Sequence, residues 1–363
     1  MHMSKKVVVG LSGGVDSAVA AYLLKKQGFE VVGLFMRNWV EESEDGACTA
    51  DEDFYDVRRV CGVLDIPYYG VDFSREYYDR VFRHFLSEYE RGRTPNPDVL
   101  CNREIKFDAF ADYARGMGAD LIATGHYCRC ERREDGNYLL RAADENKDQT
   151  YFLNQVTGAQ LQDVIFPLGG LLKDEVRAIA AEAGLPVAKK KDSTGICFIG
   201  ERDFRKFLAQ YLPMQEGEIR TEDGRCVGRH RGVFYYTLGQ RKGLGLGGIK
   251  GGAEGAWFVV GKDVKNNVLY VSQGDESRLF HDLIECDEFN FIPHAPKSGV
   301  FRCMARIRHR QPLFPATAYI LENGGVRVEC DEPQRAACAG QYVVLYDKEV
   351  CLGGGVMERI GDK

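Results

Sequence analysis

Apolar and polar positions along the chain fall into two regimes. Up to about residue 211, β-branched runs alternate with stretches whose apolar residues recur at helical spacing. Val7-Val8-Val9-Gly10-Leu11 is a continuous apolar run of the kind that parallel sheets bury on both faces, and Ala18 to Lys26 follows with helical character. Val31 to Met36 predicts a second strand, and the acidic stretch Glu41 to Asp53 predicts a surface loop. Phe54, Val57, Val60, Cys61 and Leu64 predict a helix ending at Ile66-Pro67. Tyr68 to Val71 reads as a short strand, Arg75 to Glu90 as an amphipathic helix, and residues 92–103 as a loop rich in Pro and Asn. Ile105 to Arg115 returns to helix, and Ala119 to Thr124 is a strand of buried type. This alternation predicts an α/β fold, a doubly wound parallel sheet whose ligands bind at the carboxyl ends of its strands. Those ends carry Ser12 to Ser17, Met36 and Gly125-His126.

The rhythm then changes. Lys173 to Ala183 and Asp203 to Tyr211 predict helices flanking a loop at Lys189 to Gly200. From about Gln215 onward, short strands are separated by turn signals at Gly224, Gly232, Asn266-Asn267 and Asn323-Gly324-Gly325. The expected organisation is an N-terminal catalytic domain over 1–212, a small mostly-β central domain over 213–285 and a C-terminal β-barrel over 286–363.

Composition narrows the class. A chain of 363 residues exceeds one typical core, which fits several domains. No apolar run reaches membrane-spanning length, and Met1 to Lys6 lacks a signal-peptide core. Twelve cysteines scattered over so long a chain argue against a disulfide framework and for a reducing, cytoplasmic setting in which single thiols can be chemical. The net charge of −6 excludes a generally basic nucleic-acid coat, so any RNA contact must come from local patches.

Ser12-Gly13-Gly14-Val15-Asp16-Ser17 lies between strand and helix, where glycines admit a close ligand and helix N–H groups point outward: an anion site. It lacks the Gly-Lys-Ser/Thr of a Walker A loop and the spacing of a dinucleotide fingerprint. The loop Thr94 to Asn102, stiffened by Pro95 and Pro97, places Asp98 and Cys101 three residues apart. A second thiol, Cys197, lies between Gly195 and Gly200, just downstream of Lys189 to Lys191, whose charge favours a thiolate. Cys61, Cys303, Cys330, Cys338 and Cys351 read as small buried apolar residues in helix or strand, and Cys128-x-Cys130 has no matching second pair for zinc. Arg302, Arg306, Arg308 and Arg310 alternate along one face of a predicted strand, opposite Cys303, Ala305, Ile307 and His309, which suits an RNA backbone. Gly243 to Gly248 matches G-x-G-x-x-G but opens no helix, so it reads as a flexible basic loop near RNA.

The SGGVDS loop resembles the PP-loop of ATP pyrophosphatases. Together with GRTPNPDVLCNREIKF, ATGHY, KDQTYFL, DSTGICFIG, YYTLGQRKGLGLGG and ARIRHRQ, in that order, it resembles the tRNA-specific 2-thiouridylase family over nearly the whole chain. The resemblance implies that ATP with Mg²⁺ adenylates the C2 oxygen of a wobble uridine in tRNA, that pyrophosphate leaves, and that a persulfide sulfur then displaces AMP. It implies ATP contacts at Gly10, Leu11, Ser12, Gly13, Gly14, Val15, Asp16, Ser17, Met36 and Gly125, with Asp16 near the Mg²⁺; the residues alone would make Met36 a core side chain. Asn96, Pro97 and Asp98 would meet the target base, and Lys147, Asp148, Gln149, Arg308 and His309 the tRNA. In the family an aromatic often stands where this chain has His309. Cys197 would carry the persulfide, Cys101 would be its catalytic partner and Asp98 the general acid/base. Direct attack by the persulfide and prior release of hydrosulfide both end in a Cys101–Cys197 disulfide. The implied protein is a cytoplasmic monomer with tRNA and a persulfide donor protein as partners, no membrane, and no tightly bound metal. Two other readings stand beside it: a PP-loop synthetase with an amine nucleophile, which needs no paired thiols and for which no glutaminase half is visible, and a non-catalytic ATP- or RNA-binding protein.

Overall fold

The computed structural model describes residues 4–39, 49–192, 204–246 and 255–362. Cys197 with most of its loop, Gly247-Gly248, and residues 41–48 of the acidic stretch lie outside the described residues.

The N-terminal sheet is parallel throughout. Its strands are β1 (Lys6–Leu11), β2 (Glu30–Arg37), β3 (Tyr68–Asp72), β4 (Leu121–Ala123) and, further along the chain, β7 (Val164–Ile165), in the order β3-β2-β1-β4-β7. β1 shows why its sequence is apolar without alternation. Val7, Val9 and Leu11 pack on one side with α1 (Val15–Lys26) and α2 (Thr49–Leu64), while Val8 packs on the other with Phe82, Phe85 and Phe110. Both faces are covered, so every side chain of the strand interior is buried.

Two expected loops are shorter than their composition suggests. The acidic stretch becomes helix at Thr49, with Asp51 and Glu52 in the first turn, where carboxylates favour a helix N-terminus. The Pro/Asn-rich segment becomes helix at Pro97, the first helical position, where a missing N–H costs nothing. That helix, α4 (residues 97–116), follows α3 (residues 74–90); both pass through π-helical stretches, at Tyr78–Phe82 in α3 and Cys101–Ala109 in α4. Further along the chain come the α-helices α5 (Lys173–Glu182) and α6 (Phe204–Ala209).

Beyond α6, β8 (Gly217–Arg220), β9 (Cys226–His230), β10 (Trp257–Asp263) and β11 (Val268–Gln273) form a separate sheet over Ile219, Val259, Leu269 and Val271. The C-terminal strands are β12 (Phe280–Cys286), β13 (Asn290–Phe291), β14 (Val300–Arg306), β15 (Phe314–Ile320), β16 (Val326–Arg335), β17 (Tyr342–Asp347), β18 (Val350–Val356) and β19 (Arg359–Gly361). Their pairings are antiparallel, and β12, β14, β15, β16 and β17 meet in one core through Ile284, Ala305, Ala316, Val328 and Val343. A hairpin from the N-terminal half, β5 (Arg129–Arg133) and β6 (Gly136–Leu140), extends this sheet, with Leu139 opposite Cys351. The seam is apolar: Phe107, Tyr151 and Leu153 share a cluster with Ile292, Tyr342 and Tyr346, and the Tyr151 hydroxyl donates to the Tyr342 carbonyl at 3.2 Å.

The expected basic strand face does not form. β14 ends at Arg306, and Arg310 adopts a left-handed φ of 65°, so the alternation of side chains breaks off. Arg302 pairs with Asp331 at 2.6 Å, Arg306 is buried against Asp148 at 3.4 Å, and Arg308 donates to the Ala336 carbonyl. Cys61, Cys303, Cys330 and Cys351 are buried within helix or strand, whereas Cys338, also buried, lies in the connection between β16 and β17. Among the described residues no helix is long and apolar enough to cross a membrane.

Candidate active site at the carboxyl ends of the parallel strands

β1 is flanked by β2 on one side and β4 on the other, so the sheet changes winding direction there and opens a crevice beyond its carboxyl ends. The loop Ser12 to Ser17 fills the end of β1. Its shape is held internally: the Ser12 N–H donates to Ser17 Oγ at 3.1 Å, and Ser17 Oγ donates to the Gly14 carbonyl at 3.2 Å. Gly13 turns with φ of 75°, a conformation side chains resist. Gly14 caps α1 without a side-chain hydrogen bond, leaving the first N–H groups of the helix for an anion.

Gly125, just past β4, is required by contact. A Cβ there would stand 2.7 Å from the Ser17 nitrogen and 2.9 Å from the Asp16 carbonyl carbon. Gly125→Ala therefore pushes the strand end off the loop. ATP binding measured by calorimetry is expected to weaken by roughly tenfold or more, equivalent to about 1.4 kcal/mol, with the far-ultraviolet spectrum retained. Met36 is buried at the end of β2, its Cε 3.6 Å from where a Gly10 Cβ would be. Two residues on, the carboxamide of Asn38 is buried with neither Nδ2 nor Oδ1 hydrogen-bonded. Outward helix N–H groups, a glycine-lined approach and an orphaned amide beside the sheet end fit a nucleoside triphosphate.

Sequence reasoning found no lysine for this loop, yet the fold supplies one. Lys173, in the first turn of α5, places Nζ 2.6 Å from Asp16 and 2.9 Å from Asp192. Tyr127 donates its hydroxyl to the same Asp16 oxygen at 2.8 Å. Asp192 also receives Lys147 at 2.7 Å and Arg177 at 2.7 Å. Burial pushes the Asp192 carboxyl up, but hydrogen bonds from Lys147 and Lys173 outweigh this and hold it at about 2. The neighbouring His126 is a different case: fully enclosed beside Phe107 and Phe166, it is driven well below its ordinary pKa by burial and by Lys106, so its imidazole is neutral.

The thiol side is built on α4. Asp98 and Cys101, three residues apart in a helix, share one face. Cys101 is fully buried in the apolar cluster that also contains Met36, on the face of the sheet opposite α1. Asn96 precedes Pro97 in extended conformation, and the segment before them is tied to the connection between β16 and β17: the Thr94 N–H donates to the Ala339 carbonyl at 2.9 Å and Gln341 Nε2 to the Thr94 carbonyl at 2.8 Å. Asn102 Nδ2 donates to the Phe152 carbonyl at 3.0 Å, which links α4 to the 147–153 segment.

That segment also meets His309. His309 Nε2 is 3.2 Å from the Asp148 carbonyl, and its ring lies 4.5 Å from that of Phe152. Gln149 accepts the Tyr127 N–H through Oε1 at 2.9 Å. The Asp148 side chain, expected at an RNA surface, points inward instead: it accepts the Ala142 N–H at 3.2 Å and the Thr150 hydroxyl at 2.9 Å, and pairs with Arg306. Gly10 to Ser17, Met36 and Gly125 thus gather at the nucleotide crevice; of the residues expected to meet tRNA, His309 lies against Asp148 and Phe152, whereas Lys147 turns to Asp192, Gln149 to Tyr127 and Arg308 to Ala336; Cys197 lies outside the described residues.

Residues 5–201 match the family described as tRNA methyl transferase HUP domain, 205–273 the tRNA methyl transferase PRC-barrel domain, and 281–357 the Aminomethyltransferase beta-barrel domain. The chain is 56% identical over 357 residues to tRNA-specific 2-thiouridylase MnmA 2 of Geobacillus kaustophilus, covering 98% of this chain and 95% of the relative. It is 55% identical to tRNA-specific 2-thiouridylase MnmA of Geobacillus thermodenitrificans, with the same coverage. The corresponding protein of Streptococcus uberis is 55% identical, over 97% of this chain and 95% of its own length. With its three regions matched in order and its relatives aligned almost end to end, the chain belongs to the tRNA-specific 2-thiouridylase family.

Proposed function

We propose that this protein makes 2-thiouridine at the wobble position of tRNA, consuming ATP and a persulfide sulfur. The observation that carries the reading is the shared cluster of Met36 and Cys101, which sets a thiol with the end of β2, the strand paired to the one that carries the phosphate-type loop. The N–H groups of Gly13 to Ser17 hold the phosphates, and Mg²⁺ enters with them beside Asp16. Uracil O2 attacks the α-phosphorus and pyrophosphate leaves, which makes C2 electrophilic and its oxygen a good leaving group. Asp98, on the face of Cys101, exchanges the proton at the base. Cys197 delivers its terminal sulfur to C2 as AMP departs, and the Cys101 thiolate attacks Cys197 Sγ, leaving a C2 thiocarbonyl and a Cys101–Cys197 disulfide. In the other order, Cys101 first frees hydrosulfide, which attacks C2; both orders require an external reductant to reopen the disulfide.

Asn96 and Pro97 frame the base, and Lys147, Gln149, Arg308 and His309 receive the anticodon loop, whose single-stranded wobble base can be splayed out without opening a duplex. Asp148 holds their segment in place from behind. The protein acts as a cytoplasmic monomer supplied by a separate persulfide donor protein.

The test is direct. Protein, ATP, Mg²⁺, unmodified tRNA with a wobble uridine, a reductant and a persulfide source are incubated, and the nucleosides are analysed by mass. 2-Thiouridine that depends on ATP is the expected product. Pyrophosphate release with an amine-derived product instead would point to the synthetase reading. Binding of both ligands without release of pyrophosphate would point to the binding-protein reading.

A further inference from the structure

Asp192 is ringed by cations that belong to different ligands. Lys173 reaches it at 2.9 Å while also holding Asp16 of the nucleotide loop at 2.6 Å. Lys147, in the segment assigned to tRNA, reaches its other oxygen at 2.7 Å, and Arg177 completes the set at 2.7 Å. Lys173 is nearly buried, with 10% of its side chain exposed, whereas Lys147 and Asp192 are 27% and 30% exposed and so remain within reach of a ligand.

We propose that Asp192 is a positioning residue that makes nucleotide and tRNA binding antagonistic, by competing as an internal anion for the lysine that serves each of them. The inference rests on the function proposed above. A nucleotide whose phosphates draw Lys173 away leaves Asp192 with fewer cations. The carboxylate then holds Lys147 more strongly, and a tRNA phosphate must outbid it. By reciprocity, tRNA that engages Lys147 tightens the hold of Asp192 on Lys173 and disfavours nucleotide by the same factor. The coupling lets each product leave more readily while the other ligand is still bound.

Two substitutions move affinity in opposite directions. Asp192→Asn removes the competing charge and keeps the shape. A non-hydrolysable ATP analogue and unmodified tRNA are each expected to bind roughly three- to tenfold tighter, at fixed salt, and the factor by which one weakens the other falls towards one. Asp192→Glu, which keeps the charge, is expected to restore the antagonism. Lys147→Ala leaves Asp192 leaning harder on Lys173, so the analogue is expected to bind more weakly although Lys147 is not assigned to the nucleotide. A residue with only a structural role would change the unfolding temperature without altering the coupling factor. Unchanged or weaker binding of both ligands to Asp192→Asn, or independent binding in the unaltered protein, would overturn the inference. Failure of the unaltered protein to bind either ligand would overturn the functional reading beneath it.

Discussion

Cys101→Ser eliminates 2-thiouridine formation while nucleotide binding persists. The substitution is nearly isosteric, but an alkoxide is not available near neutral pH and a hydroxyl neither accepts sulfane sulfur nor closes a disulfide. Loss of an obligatory nucleophile is expected to lower thiolation on the order of a thousandfold or more. Cys101 is fully enclosed, so exchanging thiol for hydroxyl also buries a more polar group, at a cost of about 1–3 kcal/mol. An unfolding curve and an ATP titration on the same preparation separate that cost from chemistry, and Cys101→Ala, which carries no hydroxyl, serves as the matched control. Cys197→Ser is expected to give the same product loss. Both variants should still release pyrophosphate in the presence of tRNA, because adenylation precedes sulfur delivery. Full thiolation by either one would remove the two-thiol route.

The parallel strands were legible because burial on both faces writes itself as an uninterrupted apolar run, as it does in Val7 to Leu11. The start of α4 was not. Pro97 and its Asn neighbours carry turn signals, and only the structure shows Pro97 occupying a first helical turn. The consequence is functional, since Asp98 and Cys101 share a face only if the segment is helical. Lys173 and Asp192 escaped for another reason. Lys173 is 157 positions from Asp16, and no local spacing reports which helix start the sheet brings back to its first loop. The same holds for the hairpin of β5 and β6, whose place in the C-terminal sheet is a long-range pairing. The arginine stripe was misread because alternation predicts a face only while the strand continues, and β14 stops at Arg306.

Arg306→Met is expected to be among the most destabilising single changes in the protein, although Arg306 lies far along the chain from the residues assigned to chemistry. Arg306 is 4% exposed and Asp148 1% exposed, and their charged groups are 3.4 Å apart. Removing the cation leaves a carboxylate in the interior with the Thr150 hydroxyl, the Ala142 N–H and a more distant Arg141 at 3.9 Å. Breaking a buried pair from one side costs about 3–5 kcal/mol, the lower end applying here because those donors remain. Asp148→Asn keeps the hydrogen-bonding shape and strands the guanidinium instead, so it should be destabilising by a similar amount. The double variant Arg306→Met with Asp148→Asn leaves neither charge alone, and its loss should be smaller than the two single losses added together. Denaturant unfolding of the three variants measures this directly. The pair also bridges β14 to the segment carrying Lys147 and Gln149, and this gives it a consequence beyond stability. In Arg306→Met the KM for tRNA should rise while ATP affinity stays close to that of the unaltered protein, since Arg306 touches neither the Ser12 to Ser17 loop nor Gly125. Additive losses in the double variant would mean that the two charges do not depend on each other. Equal losses of tRNA and ATP affinity in Arg306→Met would mean that the pair supports the whole fold rather than the RNA-facing segment alone.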